Sequence, residues 1–267
     1  MGDQSNPAKT PCFSRYIGID YSGAARPETG LAGIRVYVAE RGQQPVEVRP
    51  KLDQRRHWSR AGLACWLQQR LAEPVVTIVG IDHGLGFPQA YFDQYGLDCD
   101  WSGFLADFVA HWPTDANGVL VEDVRQQRVG AGWLRCGDSR WRREAERRVR
   151  AKSVFHFDVP GSVAKSTPAG LPWLYRLHRE LPALHFWPFA GWRAPVGVSV
   201  LAEVYPAMFS GQYPRGDRSG DQQDAFAIAA WLEAQDQAGQ LAAHLNPELP
   251  VSTRTAARKE GWILGVR

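Results

Sequence analysis

The stretch "VVTIVGIDHGLGFP", Val75 to Pro88, decides how the chain is read. Its continuous run of β-branched residues suits a strand covered on both faces. The run ends on Asp82, after which glycines and a proline stop it. An acid therefore stands at the C-terminal edge of a buried strand. Two other stretches repeat the design. "RYIGIDYSGA" puts Ile17 and Ile19 on one strand face and Asp20 on the other, then breaks at Ser22 and Gly23. "VGVSVLAEVYP" brings Glu203 to the end of a third apolar run, closed by Pro206. Three strands each deliver one carboxylate.

Working outward, "GIRVYVAER" alternates Ile34, Val36 and Val38 with Arg35, Tyr37 and Ala39, as a half-buried strand does. A Gly-Gln-Gln-Pro turn and "VEVRP" follow, so the first three strands read as an antiparallel meander. "SRAGLACWLQQRLAE" spaces Leu63, Trp66, Leu67 and Leu71 as a helix does, and it leads into the Asp82 strand. A long insertion, about 89–195, separates that strand from the Glu203 strand. It contains helical patterns at "SRWRREAERRVRAK" and "LPWLYRLHREL". "DQQDAFAIAAWLEAQ" ends the series, with Ala225, Ile228, Ala229 and Leu232 on one helix face. Asp221 and Asp224, three apart in its first turn, face the same way.

The expected architecture is thus α/β: a five-stranded mixed sheet flanked by helices, in the order β-β-β-α-β-insertion-β-α. Residues 1–14 read as a disordered tail and 15–267 as a single domain carrying the insertion lobe. The composition is that of an ordinary globular chain: 267 residues, 44% hydrophobic, net charge +3. There is no apolar run of membrane-spanning length and no signal-peptide core, so no membrane partner and a cytoplasmic location are expected. Cys12, Cys65, Cys99 and Cys136 form no CxxC pair and read as reduced thiols.

Charge is uneven. Between Arg125 and Lys152, nine Arg and one Lys face only Asp138, Glu144 and Glu146, which leaves the rest of the chain mildly acidic. The pairs Arg142–Glu146, Glu144–Arg148 and Glu146–Arg150 have helical i,i+4 spacing and account for part of the segment as a solvated face. The unneutralised remainder, with Trp133 and Trp141 among it, suits phosphate contact and base stacking, or else anchoring of the insertion. Arg140, Arg143, Arg147 and Lys165 are the candidate substrate-binding cations. His83, beside Asp82, reads as a structural histidine rather than a proton shuttle.

Convergent carboxylates repel and stay ionised only beside a cation, and hard oxygen donors suit Mg²⁺ or Mn²⁺. Such ions support phosphodiester hydrolysis. The segments "YIGIDYSG", "IVGIDHGLGFP", "LAEVYPAMF" and "DQQDAFAIAAWL" together resemble a domain-of-unknown-function family of predicted ribonuclease H-like nucleases. The Asp221-x-x-Asp224-Ala spacing is similar to the last-helix acids of Holliday-junction resolvases. The resemblance implies a ribonuclease H-like fold and a metal-dependent nuclease acting on nucleic acid, DNA or RNA. It implies Asp20, Asp82 and Asp224 as metal-binding acids, with Glu203 and Asp221 in support. Two other functions stand beside it: a non-catalytic nucleic-acid-binding or scaffold protein of the same fold, and an actin- or sugar-kinase-type phosphate-binding protein. The last needs a second such domain, and no second meander is present. Oligomeric state is left open.

Overall fold

The computed structural model describes residues 12–50, 56–157 and 159–267. Strand β1 (Arg15–Tyr21), β2 (Ile34–Glu40) and the short β3 (Val46–Glu47) form the expected antiparallel meander. Helix α1 (Arg60–Leu71) starts where the Ser59 hydroxyl accepts a hydrogen bond from Gly62 N–H, and it returns the chain to β4 (Thr77–Asp82), parallel to β1. The insertion supplies α2 (Gln89–Tyr95), α3 (Trp101–His111), α4 (Val121–Arg125), α5 (Glu144–Val149), α6 (Ser166–Glu180) and a strand, β5 (His185–Trp187). Strand β6 (Val200–Glu203) follows, then α7 (Gly220–Gln237), α8 (Leu241–Leu245) and α9 (Val251–Glu260). The sheet order is β3-β2-β1-β4-β6-β5, with β5, β6, β4 and β1 mutually parallel.

The sheet has six strands rather than the five expected. The extra one, β5, is three residues long and lies at the edge beside β6. Two further expectations are corrected. Strand β2 is covered on both faces, because Tyr37 and Ala39 pack away from solvent and Tyr37 meets Ala225 and Ala229 of α7. The expected tail is shorter: Phe13 is buried, and Cys12 and Phe13 N–H donate to the Asp236 carboxylate. The rest of that segment, 1–11, lies outside the described residues.

Two cores clad the sheet. Ile17, Ile19, Val79, Ile81 and Leu201 face α1, α3 and α6, so the insertion shares the main core. Tyr16, Ile78, Val200 and Ala202 face α7 and the C-terminal segment through Trp262. Burial of these aliphatic and aromatic side chains is the main stabilising term.

Helix α7 lies unusually close to the sheet, and two glycines allow it. Gly18 and Gly80 are register partners on β1 and β4. A Cβ on Gly18 would come within 2.1 Å of the Ala225 carbonyl oxygen, and one on Gly80 within 2.6 Å of Ile228. Gly18→Ala is therefore expected to cost about 3 kcal/mol or more, since the obstacle is helix backbone rather than a movable side chain. At Gly220, on the same helix, an added methyl meets nothing within 4 Å, and Gly220→Ala should be neutral or slightly stabilising. Equal denaturation midpoints for the two variants would refute this close-packing account.

Candidate acid site

Asp20 and Asp82 are register partners at the C-terminal ends of β1 and β4. Alternation puts both on the face that Gly18 and Gly80 present to α7, two residues further along each strand. The first turns of α7 lie at that end. Their position is set by a capping box: the Ser219 hydroxyl accepts from Gln222 N–H, and Ser219 N–H donates to the Gln222 side chain. Gln222 also donates to Glu47, which Arg35 holds at 3.1 Å. The helix start is thereby tied to β2 and β3, and Asp221 and Asp224 are directed toward the strand-end acids.

Mutual electrostatics mark the convergence. Asp20 is 3% exposed. Burial, and then the charges of Asp221 and Asp224, push its carboxyl up to about 7 against hydrogen bonds from Ser22. Its Oδ1 is buried with no hydrogen-bond partner. Asp82 is pushed well above the ordinary carboxylate range by burial, then by Asp20, Asp224 and Glu203. Asp224 is raised by burial and by Asp221, with Ser210 and Arg215 opposing. Asp221 is raised by burial, with Arg35 opposing. Tyr205, just past β6, is raised by burial and by Asp82 and Asp224, which places its phenol on the same cluster. Tyr205, Ser210 and Arg215 come from the loop between β6 and α7. A loop without periodicity carries no sequence signal for such roles.

Several expected site residues lie elsewhere. Glu203 is the register partner of Ile81, so it points to the opposite face from Asp82. There its carboxylate accepts from both Arg143 Nη1 and Nη2, at 2.7 and 2.5 Å, and from Leu85 N–H at 3.0 Å. Arg143, only 1% exposed, also holds Glu146 at 2.9 Å. Glu203 is thus corrected from a supporting acid, and Arg143 from a substrate contact, to members of one buried ion cluster. The helix carrying Arg143's neighbours is also shorter than the charge pattern suggests. Of its three expected i,i+4 pairs, only Glu144–Arg148 forms, at 3.2 Å. Arg140 and Arg147 are exposed and paired with Asp138 and Glu144. Lys165 is exposed, stands immediately before α6 without capping it, and lines a surface basin together with Ala24. His83 is buried, its Nδ1 is 2.9 Å from the Gly84 carbonyl, and burial pushes it down to about 4, so it is neutral.

The donors present are those a hard divalent cation prefers, and the unpartnered Asp20 Oδ1 is a buried oxygen in need of a cation or proton. Among the described residues, however, no group of three or more His, Cys, Asp or Glu is gathered into a ready-made metal-binding set. The acids share a face and a field without closing into a cage. No helix among the described residues is long and apolar enough to cross a membrane. Compared with protein-family models, curated proteins and solved structures, the chain matches none.

Proposed function

We propose that this protein is a divalent-metal-dependent phosphodiesterase acting on nucleic acid, with Asp20, Asp82 and Asp224 as its metal-holding acids. The observation that carries this reading is the side-by-side placement of Asp20 and Asp82 on adjacent parallel strands, facing the start of α7, with Asp20 Oδ1 unpartnered. An antiparallel meander followed by strands parallel to the first supports the ribonuclease H-like assignment, with β5 as an added edge strand. Mg²⁺ or Mn²⁺ fits this oxygen donor set through one or two carboxylates per ion, the remaining positions being filled by water and substrate. A bound ion there would lower the pKa of attacking water and offset charge on the leaving oxygen. Asp20 and Asp82 supply fixed donors on rigid strands. Asp224 and Asp221 complete the negative field from α7, and Ser210 and Tyr205 border it.

A non-catalytic nucleic-acid-binding protein of the same fold is the second reading, favoured by the absence of a gathered three-ligand set among the described residues. Calorimetric titration with Mn²⁺ separates the two. Binding at these acids, together with Mn²⁺-dependent cleavage of a polynucleotide, supports the hydrolase. Absence of binding supports the scaffold.

Stability should report on the same acids through pH. The Asp20 carboxyl rises from 3.8 to about 7 in the folded state, so the native protein keeps a proton that the unfolded chain has released. Its contribution to stability is complete below the unfolded value and is lost as pH rises through the folded one. The span is worth on the order of a few kcal/mol. In EDTA the melting temperature should therefore fall between pH 4 and 8, all else equal. Mn²⁺, which competes with the proton, should restore it more at the upper end than at the lower. Stabilisation by Mn²⁺ that is equal across the range would exclude this coupling.

A further inference from the structure

The insertion, with Phe87, lines an open cavity of about 400 Å³ whose walls include Phe108, Trp112, Phe155, Phe157 and Trp133. The rings of Phe108, Trp112 and Phe157 stand almost parallel, with 7° and 9° between successive planes and centroids 5.8 and 6.4 Å apart. The Arg125 guanidinium lies over Phe157 at 4.5 Å. Trp133, at 52% exposure, is left in solvent, whereas Trp141 is half-buried against the main core. Trp112 is 5% exposed, yet its Nε1 donor is buried without a partner. At one wall the Phe155 ring packs directly against Gly137, where a Cβ would fall 2.2 Å from the ring.

The cavity lies on the insertion's face of the sheet, not the α7 face, and its wall reaches the loops that follow the two acid-bearing strands. Its wall residue Val154 would lie 2.7 Å from a Cβ on Gly84, two residues beyond Asp82. Arg125 also lines a neighbouring basin with Lys165, Glu122 and Ala24, and Ala24 follows Asp20 by four residues. Glu122 is held there by Arg125 at 3.0 Å.

We propose that the cavity receives one unstacked nucleobase of the substrate, with the adjoining phosphate at Lys165 and Arg125. This deepens the reading of the acids as a phosphodiesterase and rests on it. The substrate class is then single-stranded or locally unpaired nucleic acid, because a base held in a duplex cannot enter. The exposed Trp133 ring in the lining offers any base a stacking face, and the unpartnered Trp112 Nε1–H offers a donor to a base carbonyl or ring nitrogen. The cavity volume falls in the usual range for small-ligand sites, roughly 300–1,000 Å³. Sequence reading named Trp133 and Lys165 but not Trp112 or Phe157. Those two are far apart in the chain and become neighbours only after folding.

The test measures binding in EDTA, where no cleavage can intervene. A thymidine oligonucleotide of about twelve nucleotides, within single-strand site sizes, is compared with an all-abasic strand carrying the same phosphates and with a duplex of equal length. The thymidine strand should bind about tenfold or more tightly than the abasic strand, and more tightly than the duplex. Trp133→Ala, at an exposed position that leaves folding intact, should shrink the thymidine–abasic difference, and Phe157→Leu should shrink it further. Equal affinity for the thymidine and abasic strands, a difference untouched by Trp133→Ala, or no polynucleotide binding at low salt would each overturn the proposal. Base-independent binding with Mn²⁺-dependent cleavage intact rejects the cavity alone. Base-dependent binding with no Mn²⁺ site supports the cavity and rejects the hydrolase.

Discussion

Asp20→Asn and Asp82→Asn are each expected to abolish Mn²⁺-dependent cleavage and to weaken Mn²⁺ binding by more than the roughly 10–100-fold that loss of an outer-sphere partner costs a metal site. Asn keeps the shape of Asp but removes the charge. In the metal-free protein that charge is opposed by burial and by Asp221 and Asp224 at Asp20, and by burial, Asp20, Asp224 and Glu203 at Asp82. The same variants should therefore be at least as stable as the parent in EDTA at neutral pH, since the substitution removes a like-charge repulsion. Loss of function with retained or raised stability is the informative combination. It separates acids placed for chemistry from acids that hold the fold. Unchanged Mn²⁺ affinity in both variants would remove these residues from any metal site. A fall in metal-free stability would mean that they serve as structural caps.

Arg143→Met should behave in the opposite way. Removing the guanidinium leaves Glu203 and Glu146 buried and facing each other's charge, a loss on the order of 3–5 kcal/mol. Glu203→Gln with Arg143→Met should recover part of it, because one of the two stranded carboxylates is then neutral. Unfolding free energies for the two single variants and the double variant give the coupling directly. Arg140→Glu, at an exposed position, should change stability by no more than about 0.5 kcal/mol. Similar costs at Arg143 and Arg140 would contradict a buried ion cluster. If Arg143 instead met phosphate, Arg143→Met would flatten the salt dependence of polynucleotide binding and leave stability intact.

These two results bear on one basic segment that composition alone presents as uniform. Nine arginines lie between residues 125 and 152. One of them is locked between two buried acids, another lies against an aromatic ring at the cavity, and several pair with surface carboxylates. Counting charges detects an excess but says nothing about partners. Glu203 lies sixty positions from Arg143. The tertiary fold alone brings them together.

Local pattern was sufficient for the elements that carry the acids. The apolar run before Asp82, the alternation before Asp20 and the helical spacing after Asp224 each reflect a period that backbone geometry imposes within a few residues. The meander, the helix before β4 and α7 followed from the same rules, whereas α8 and α9, which come after α7, were not expected. Strand β5 did not, because His185–Trp187 is too short for alternation to register. The half-buried reading of β2 failed for another reason. A tyrosine and an alanine can face solvent or a helix equally well, and the proximity of α7, permitted by Gly18 and Gly80, decided for the helix.

The sequence by itself determined that acids stand at strand ends and at a helix start, since those positions depend on local hydrogen-bonding geometry and side-chain periodicity. Only the tertiary structure decided which of them meet. Parallel pairing of β1 with β4 in register puts Asp20 beside Asp82 on one face, whereas pairing of β6 with β4 aligns Glu203 with Ile81 and turns it to the other. Side chains change face with every residue along a strand, so a register offset of one residue separates an acid in the cluster from an acid in a salt bridge, and register is a property of strand partners rather than of either strand alone.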